Sequence, residues 1–327
     1  MLFLYVNYIV SGGAGYLGAH LVTLLIEEGH SVTVFDNLPH GSINRLAPEV
    51  GIVHVDISSE ESLRQFRTSQ KIDGLFHLAA KKSVSESMTN PLLYEKVNVI
   101  GTKNILDFCV NWKIENIVLT SSAAVYGSLE KLDKISESDP TDPISPYGLT
   151  KLRAEEVLSG YVNNGLIKGI ALRCFNLTGA RNGKMFDFQG ENVIPILLRA
   201  INQKRFFQVF GSNLSTPDGT CVRDYIHVAD AALAHLLAMK KLEADSSQTF
   251  HAINISSGVG VSLLELIAEF ELIIGEQIEV EFQAAREGDT QVSIGDKTKA
   301  NLILGWVPQH KIQKIVSDSW EANLSNN

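Results

Sequence analysis

Tyr147 and Lys151 stand four residues apart in a stretch with helical spacing, so phenol and ammonium share one face. A tyrosine that ionises near ~10 is no base at neutral pH. A lysine cation beside it, and a cationic cofactor ring bound nearby, favour the phenolate and lower that value. Such a phenolate takes a proton from a hydroxyl or returns one. Ser122 supplies a hydroxyl to bond the group being oxidised. It follows the apolar run 116–120, and the C-terminal end of a parallel strand is where an open α/β sheet places its ligands. Taken singly, Tyr-x-x-x-Lys is also a common surface spacing, and Ser122 also reads as a turn serine in Ser121-Ser122-Ala123-Ala124. The three carry weight together.

A second constellation lies at the N-terminus. Gly12, Gly15 and Gly18 directly follow an apolar run and open an amphipathic one. In that setting one glycine makes a tight turn, one lets the backbone approach a pyrophosphate, and one lets helix and strand pack closely. The helix start adds N–H donors and a positive dipole end. Asp36 ends the next apolar run, 18 residues after Gly18. A carboxylate there accepts from adenosine ribose hydroxyls and repels the extra phosphate of NADP, which favours NAD. Asp36 also reads as a turn residue before Asn37. Asp56 is a candidate for the adenine, although Asp56-Ile57-Ser58-Ser59 equally resembles a helix start.

The elements that must position these groups alternate. Strands are expected at 2–10, 31–35, 52–55, 74–78, 116–120 and 169–174, and helices at 16–28, 60–70, 91–111 and 146–163. Short apolar strands between helices indicate a parallel sheet covered on both faces, and right-handed crossovers make it doubly wound, a Rossmann sheet. After residue 175 the rhythm changes. A polar stretch, 178–190, precedes a helix near 192–202, short strands near 207–210 and 224–227, and helices at 229–242 and 262–275. The expected organisation is α/β: a Rossmann domain over 1–175, joined by strands from about 224–257 (251–255 for example), and a smaller mixed α/β substrate-binding lobe over most of 176–327.

The bulk composition fits an enzyme of this kind. With 327 residues, 45% hydrophobic and 20% charged, the chain can bury a substantial core. No apolar run approaches the ~20 residues of a membrane helix. The opening MLFLYVNYIV has no leading cation and no small-residue cleavage site, so it reads as a buried strand, and a cytoplasmic location is expected. Cys109, Cys174 and Cys221 are few, odd in number and widely spaced, which suits reduced thiols better than disulfides or a zinc site; no metal is expected. A net charge of −9 argues against nucleic acid, and leaves an anionic substrate to local donors.

With these residues in view, the chain resembles an extended short-chain dehydrogenase/reductase, and more narrowly the UDP-glucose 4-epimerase (UDP-galactose 4-epimerase) family, over nearly its whole length. The landmarks are Gly12 to Gly18, Asp36-Asn37-Leu38, His77-Leu78-Ala79-Ala80, Asn98 before Gly101-Thr102, Ser121 to Gly127, Tyr147 to Lys151, Phe175-Asn176, and the run Pro217 to Val228 containing Arg223-Asp224-Tyr225-Ile226-His227. The resemblance implies a tightly bound, recycled NAD. Gly12, Gly15, Tyr16, Leu17, Gly18, Asp36 and Asn37 would hold one part of it, with Asp56 and Ile57. Leu78, Ala79, Ala80, Lys82, Asn98, Ser121 and Phe175 would line the rest, beside Tyr147 and Lys151. The UDP-sugar would meet Lys82, Ser122, Ala123, Tyr147, Asn176, Asn192, Val193 and Phe210. Arg223 and Arg286 would take the diphosphate, Asp289 the uridine ribose, and Ser293 would border the pocket. The reaction implied is inversion at the sugar 4-position through a transient 4-keto sugar, interconverting UDP-glucose and UDP-galactose. A homodimer through 91–111 and 146–163 is also implied.

Three positions depart from the family pattern. Cys174 stands where Tyr usually precedes Phe-Asn, Ala124 replaces a hydroxyl residue, and Ser293 is small where relatives carry either Tyr or a small residue. A small Ser293 suggests that N-acetylated UDP-sugars also enter. Among rival readings, a 4,6-dehydratase needs Asp-Glu where this chain has Ala123-Ala124. A uronate 4-epimerase or decarboxylase stays open as the alternative: it needs a cation for the sugar carboxylate, which the sequence does not single out. A non-catalytic NAD-sensing regulator typically lacks the Tyr/Lys pair, which is present here.

Overall fold

The computed structural model describes residues 6–37, 43–129, 133–188, 190–247, 249–285 and 290–325. In chain order the first half contains β1 (Asn7–Ser11), α1 (Tyr16–Glu27), β2 (Ser31–Asp36), β3 (Gly51–His54), α2 (Glu60–Arg64), β4 (Gly74–His77), α3 (Val84–Thr89), α4 (Pro91–Tyr94), a π-helical turn (Glu95–Ile100), α5 (Gly101–Trp112), β5 (Asn116–Ser122), a 3-10 turn (Ala123–Tyr126), α6 (Pro146–Asn163) and β6 (Lys168–Cys174). The second half contains β7 (Asn176–Thr178), α7 (Val193–Asn202), β8 (Phe207–Phe210), β9 (Val222–His227), α8 (Val228–Ala244), β10 (His251–Ile255), β11 (Gly260–Ser262), α9 (Leu263–Ile274), β12 (Val280–Gln283), β13 (Val292–Ser293), α10 (Thr298–Leu304) and α11 (Ile312–Leu324).

Seven parallel strands form the main sheet in the order β10-β6-β5-β4-β1-β2-β3. Their apolar side chains are buried on both faces because helices cover both. One face packs Leu21, Leu25, Ala231, Met239 and Trp306, from α1, α8 and the chain after α10, against Val10, Val34 and Phe76. The other packs Ile105, Phe108, Ala154 and Leu158, from α5 and α6, against Ile9, Phe35 and Ile117. Each Val, Leu, Ile, Phe or Met among them contributes about 1.5–3 kcal/mol on leaving water. Strand order reverses between β1 and β4, so the crevice at their C-terminal ends is the topological switch point of the fold. The glycine-rich turn follows β1 directly and stands at that crevice.

The second half builds a smaller layer. β11, β9 and β13 form one sheet with β7 added on β9, and β12 pairs with β8. Phe207, Val209, Leu197, Leu266, Phe270 and Ile315 pack between these strands and α7, α9 and α11.

Four expectations are corrected. The first strand is Asn7–Ser11; residues 2–5 of the expected 2–10 lie outside the described residues. The helix expected over 60–70 stops at Arg64, where Arg67 turns back and gives its guanidinium to the carbonyls of Arg64 and Phe66, capping the end. The helix expected over 91–111 carries a π turn at Glu95–Ile100, a widening that recurs at functional positions. Within 224–257, His251–Ile255 joins the main sheet in register with Ile170–Cys174, but Val222–His227 belongs to the smaller sheet.

Candidate active site

The cofactor crevice is built from main chain first. Gly12 has φ +76, and a Cβ there would lie 2.6 Å from the amide nitrogen of Ala79. A Cβ on Gly18 would lie 2.1 Å from the carbonyl oxygen of Gly12, so no side chain fits where α1 crosses the turn. Asp36, at the end of β2, is buried and accepts the Ala14 amide at 2.9 Å, which ties the carboxylate to the turn. Asn37 beside it is exposed. Leu17 is buried, and the Tyr16 hydroxyl donates to the carbonyl of Gly179 across the crevice. Asp56 accepts Ser58 N and Oγ at 2.9 and 2.8 Å, so it closes a turn, and Ser59 is the cap of α2. Ile57 is buried against Gly101.

The opposite wall comes from β4 and the π turn. Leu78 donates its amide to Ser11 O at 2.9 Å, which brings Ala79 and Ala80 beside Gly12. Asn98 is buried in the π turn. Its carboxamide accepts the Lys81 amide at 2.8 Å, and donates to Lys81 O and Thr150 Oγ1 at 3.0 Å each. It fixes Lys81, between Ala80 and Lys82, and anchors it to α6. His77 lies beneath, between Ser11 Oγ at 2.6 Å and Thr102 Oγ1 at 3.0 Å, and burial pushes it down to about 3, with Lys151 adding to the shift.

Ser122, Tyr147 and Lys151 come together at the end of β5. The Ser145 hydroxyl caps α6 on the Gly148 amide at 3.1 Å with Pro146 at the first position, which sets Tyr147 in the first turn. The Tyr147 phenol lies beside the Ser122 hydroxyl, which favours its ionised form. Lys151 is buried and gives its ammonium to the carbonyl of Thr120 at 3.0 Å. Burial lowers this lysine to about 8, opposed by nearby Cys174 and Glu155. The lowered tyrosine expected from the Lys151 spacing is not what the protein alone presents. Burial holds Tyr147 above its ordinary value, the Ser122 hydroxyl works the other way, and Cys174 adds to the rise. The physical reason is that desolvation outweighs the local donors.

Ser121 points away from Ser122 and donates to Glu155, which Arg173 grips at 2.7 to 3.2 Å. Arg173 also donates to Tyr126 Oη at 2.9 Å, and that hydroxyl to Asn254 Oδ1 at 2.7 Å. This buried network braces the back of the catalytic strand. Ala123 continues into the 3-10 turn, and Phe175 is buried, its amide on Ile255 O at 3.1 Å.

Beside the crevice lies a cavity of about 190 Å³ whose lining includes Asn176, Thr178, Asn192, Val193, Cys221 and Arg223. Four of the expected substrate residues thus meet in one space. Asn176 is held on the carbonyl of Asp224 at 3.0 Å, Asn192 on that of Leu177 at 3.5 Å, and Arg223 on that of Val222 at 3.0 Å. Ser293 pairs with Arg223 in register on neighbouring strands. Phe210 ends β8, half-buried, outside this lining. Lys82 is ion-paired with Asp187. Arg286 and Asp289 lie outside the described residues. Sequence reasoning gave no site role to Thr120, which acts through its carbonyl, to Cys221, although it lies inside the landmark run Pro217 to Val228, or to Thr178 and Asp187, which follow no motif. Among the described residues no cluster of side chains could hold a metal ion, and no helix is long and apolar enough to cross a membrane.

Residues 8–256 match the model of the NAD dependent epimerase/dehydratase family. A UDP-glucose 4-epimerase of Halalkalibacterium halodurans is 37% identical over 317 residues, 95% of this chain and 94% of that protein. The chain belongs to the UDP-glucose 4-epimerase family. The solved structure of a UDP-glucose 4-epimerase from Stenotrophomonas maltophila, with bound NAD and formylated UDP-arabinopyranose, superposes with a TM-score of 0.91 at 32% identity, covering 98% of this chain and 99% of that one. That of Thermotoga maritima, with UDP-glucose, superposes with a TM-score of 0.88 at 31% identity, covering 98% and 100%. The crevice of this family member fits the cofactor chemically. Turn amides and a helix start suit a diphosphate, and a carboxylate at the end of β2 suits ribose hydroxyls.

Proposed function

We propose that this protein interconverts UDP-glucose and UDP-galactose by inverting the sugar 4-position in one site, with NAD retained throughout. The observation that carries this reading is the contact of Tyr147 with Ser122, over a lysine anchored on Thr120, beside the cavity lined by Asn176, Asn192, Val193 and Arg223. Bound NAD supplies a hydride acceptor that later returns the hydride. The chain's own residues do the rest. Ser122 bonds the sugar 4-hydroxyl, and Tyr147 Oη takes its proton. The 4-keto sugar turns over in the pocket, and Tyr147 gives the proton back on the other face. Lys151 favours the phenolate and holds the strand end through Thr120. Arg223, with Arg286, balances the diphosphate, Asp289 accepts from the uridine ribose, and Asn176, Asn192, Val193 and Phe210 fix the nucleotide.

In this reading the Rossmann domain, 1–175 with strand His251–Ile255, holds NAD, and most of 176–327 holds the UDP-sugar. The small Ser293 beside Arg223 admits N-acetylated UDP-sugars as well. Exposed Leu92, Ile100 and Leu149 sit on the segments 91–111 and 146–163, which supports a homodimer formed through them, and a cytoplasmic location belongs to the same proposal; a monomer in sedimentation at micromolar concentration would remove the dimer. The test incubates purified protein, without added cofactor, with UDP-galactose and separately with UDP-N-acetylgalactosamine. Conversion of both to their gluco epimers is expected. Conversion of UDP-galactose alone would withdraw the role of Ser293, and conversion of neither would contradict the proposal.

A further inference from the structure

The net charge is −9, so a dinucleotide diphosphate must be drawn by local cations rather than by the overall field. Arg45, which no motif singles out, is such a cation. Its Nη1 lies 3.5 Å from the carbonyl oxygen of Ala14, inside the glycine-rich turn, and its side chain is 19% exposed. Nη2 lies 3.6 Å from Asp187 Oδ1, and the other oxygen of Asp187 takes the ammonium of Lys82. Two cations of the cofactor-binding domain therefore converge on one carboxylate carried by the chain between β7 and α7. Glu191 repeats the pattern, accepting Ser85 Oγ at 3.0 Å and also Ser83 Oγ. Asp187 and Glu191 thus strap this segment down immediately before Asn192 and Val193, which line the substrate cavity. Burial raises the phenol of Tyr16, at the start of α1, and the two charges act on it in opposite senses, Asp187 adding to the rise and Arg45 opposing it.

A 3.6 Å contact is looser than the ~2.7–2.9 Å of a close charge-assisted bond, so the planar fork of Arg45 is not used fully on Asp187. A diphosphate carries more charge and more oxygens that match a guanidinium. We propose that Arg45 is a diphosphate-binding residue of the cofactor site and that Asp187 is its exchangeable counter-anion, holding Arg45 and Lys82 beside the turn until the cofactor's phosphates displace it. This rests on the NAD reading of the crevice.

Calorimetric titration of nucleotide-stripped protein with NAD, ADP and adenosine tests it. Arg45→Gln weakens NAD and ADP about tenfold and leaves adenosine nearly unchanged, with Arg45→Lys recovering part of the loss. Asp187→Asn acts in the opposite sense and tightens ADP. A purely structural ion pair makes both changes lose affinity together, and that result overturns the proposal. It is equally overturned if Arg45→Gln binds ADP like the wild type, or if Asp187→Asn fails to tighten it. Wild-type protein that binds neither NAD nor ADP overturns the cofactor reading as well. Protein that binds both but leaves UDP-galactose unchanged sinks the epimerase reading, and the titrations still decide the role of Arg45.

Discussion

Tyr147 works in a setting that by itself opposes its ionisation. Burial raises the phenol, and the Ser122 hydroxyl opposes that rise. Lys151, lowered to about 8 by burial, is anchored on a main-chain carbonyl, so its charge is held in place close to the catalytic pair. Removing the phenol oxygen should therefore remove proton transfer and little else. Tyr147→Phe is expected to lower kcat by roughly 10²–10⁴-fold while NAD content per protomer, read by absorbance after denaturation, stays at the wild-type level. Loss of NAD with turnover would mean that the tyrosine holds the cofactor instead. Spacing in the sequence brought Tyr147, Lys151 and Ser122 together. It did not show the direction of the Tyr147 shift, because burial is a property of the folded neighbourhood.

At the scale of elements, the catalytic strand β5 is braced from behind by Glu155 of α6 and Arg173 of β6, both buried. Breaking such a pair leaves an uncompensated charge in the interior. Arg173→Met is expected to destabilise the fold by about 3–5 kcal/mol, read as a lower urea midpoint, and Glu155→Leu added to it should restore part of the loss. An unchanged midpoint in the single variant would mean that water reaches the pair. The alternation of elements was legible because the central parallel strands are rich in apolar residues and stand between amphipathic runs, and His251–Ile255 was expected as a strand recruited from the second half. The early stop of α2 was not, since it depends on Arg67 reaching back to carbonyls of Arg64 and Phe66. Nor was the π turn at Asn98, whose bonds to Lys81 and Thr150 join residues far apart in sequence. The Arg45–Asp187 contact escaped for the same reason.

Among the described residues, four histidines are kept neutral chiefly by burial. His20 is lowered to about 4, His77 to about 3, His227 to about 3 and His235 to about 4, against an ordinary value of 6.5. Because the unfolded chain binds protons at these positions before the folded one does, stability falls as pH drops below about 6.5 towards 3–4. At pH 5.5 each costs about 1.4 kcal/mol relative to pH 7.5, and urea midpoints at the two values should differ accordingly. Equal midpoints would show that these imidazoles are protonated in the folded protein or offset by other groups. The molecule's two layers meet at the crevice and the cavity, and in the proposed reaction a hydride leaves the sugar and comes back within that space. The most direct measurement is turnover of UDP-galactose deuterated at C4, in ordinary water, with no added cofactor. UDP-glucose that keeps its deuterium at C4 is expected. Product that has exchanged it for solvent hydrogen, or no product at all, would overturn the return of the sugar's own hydride.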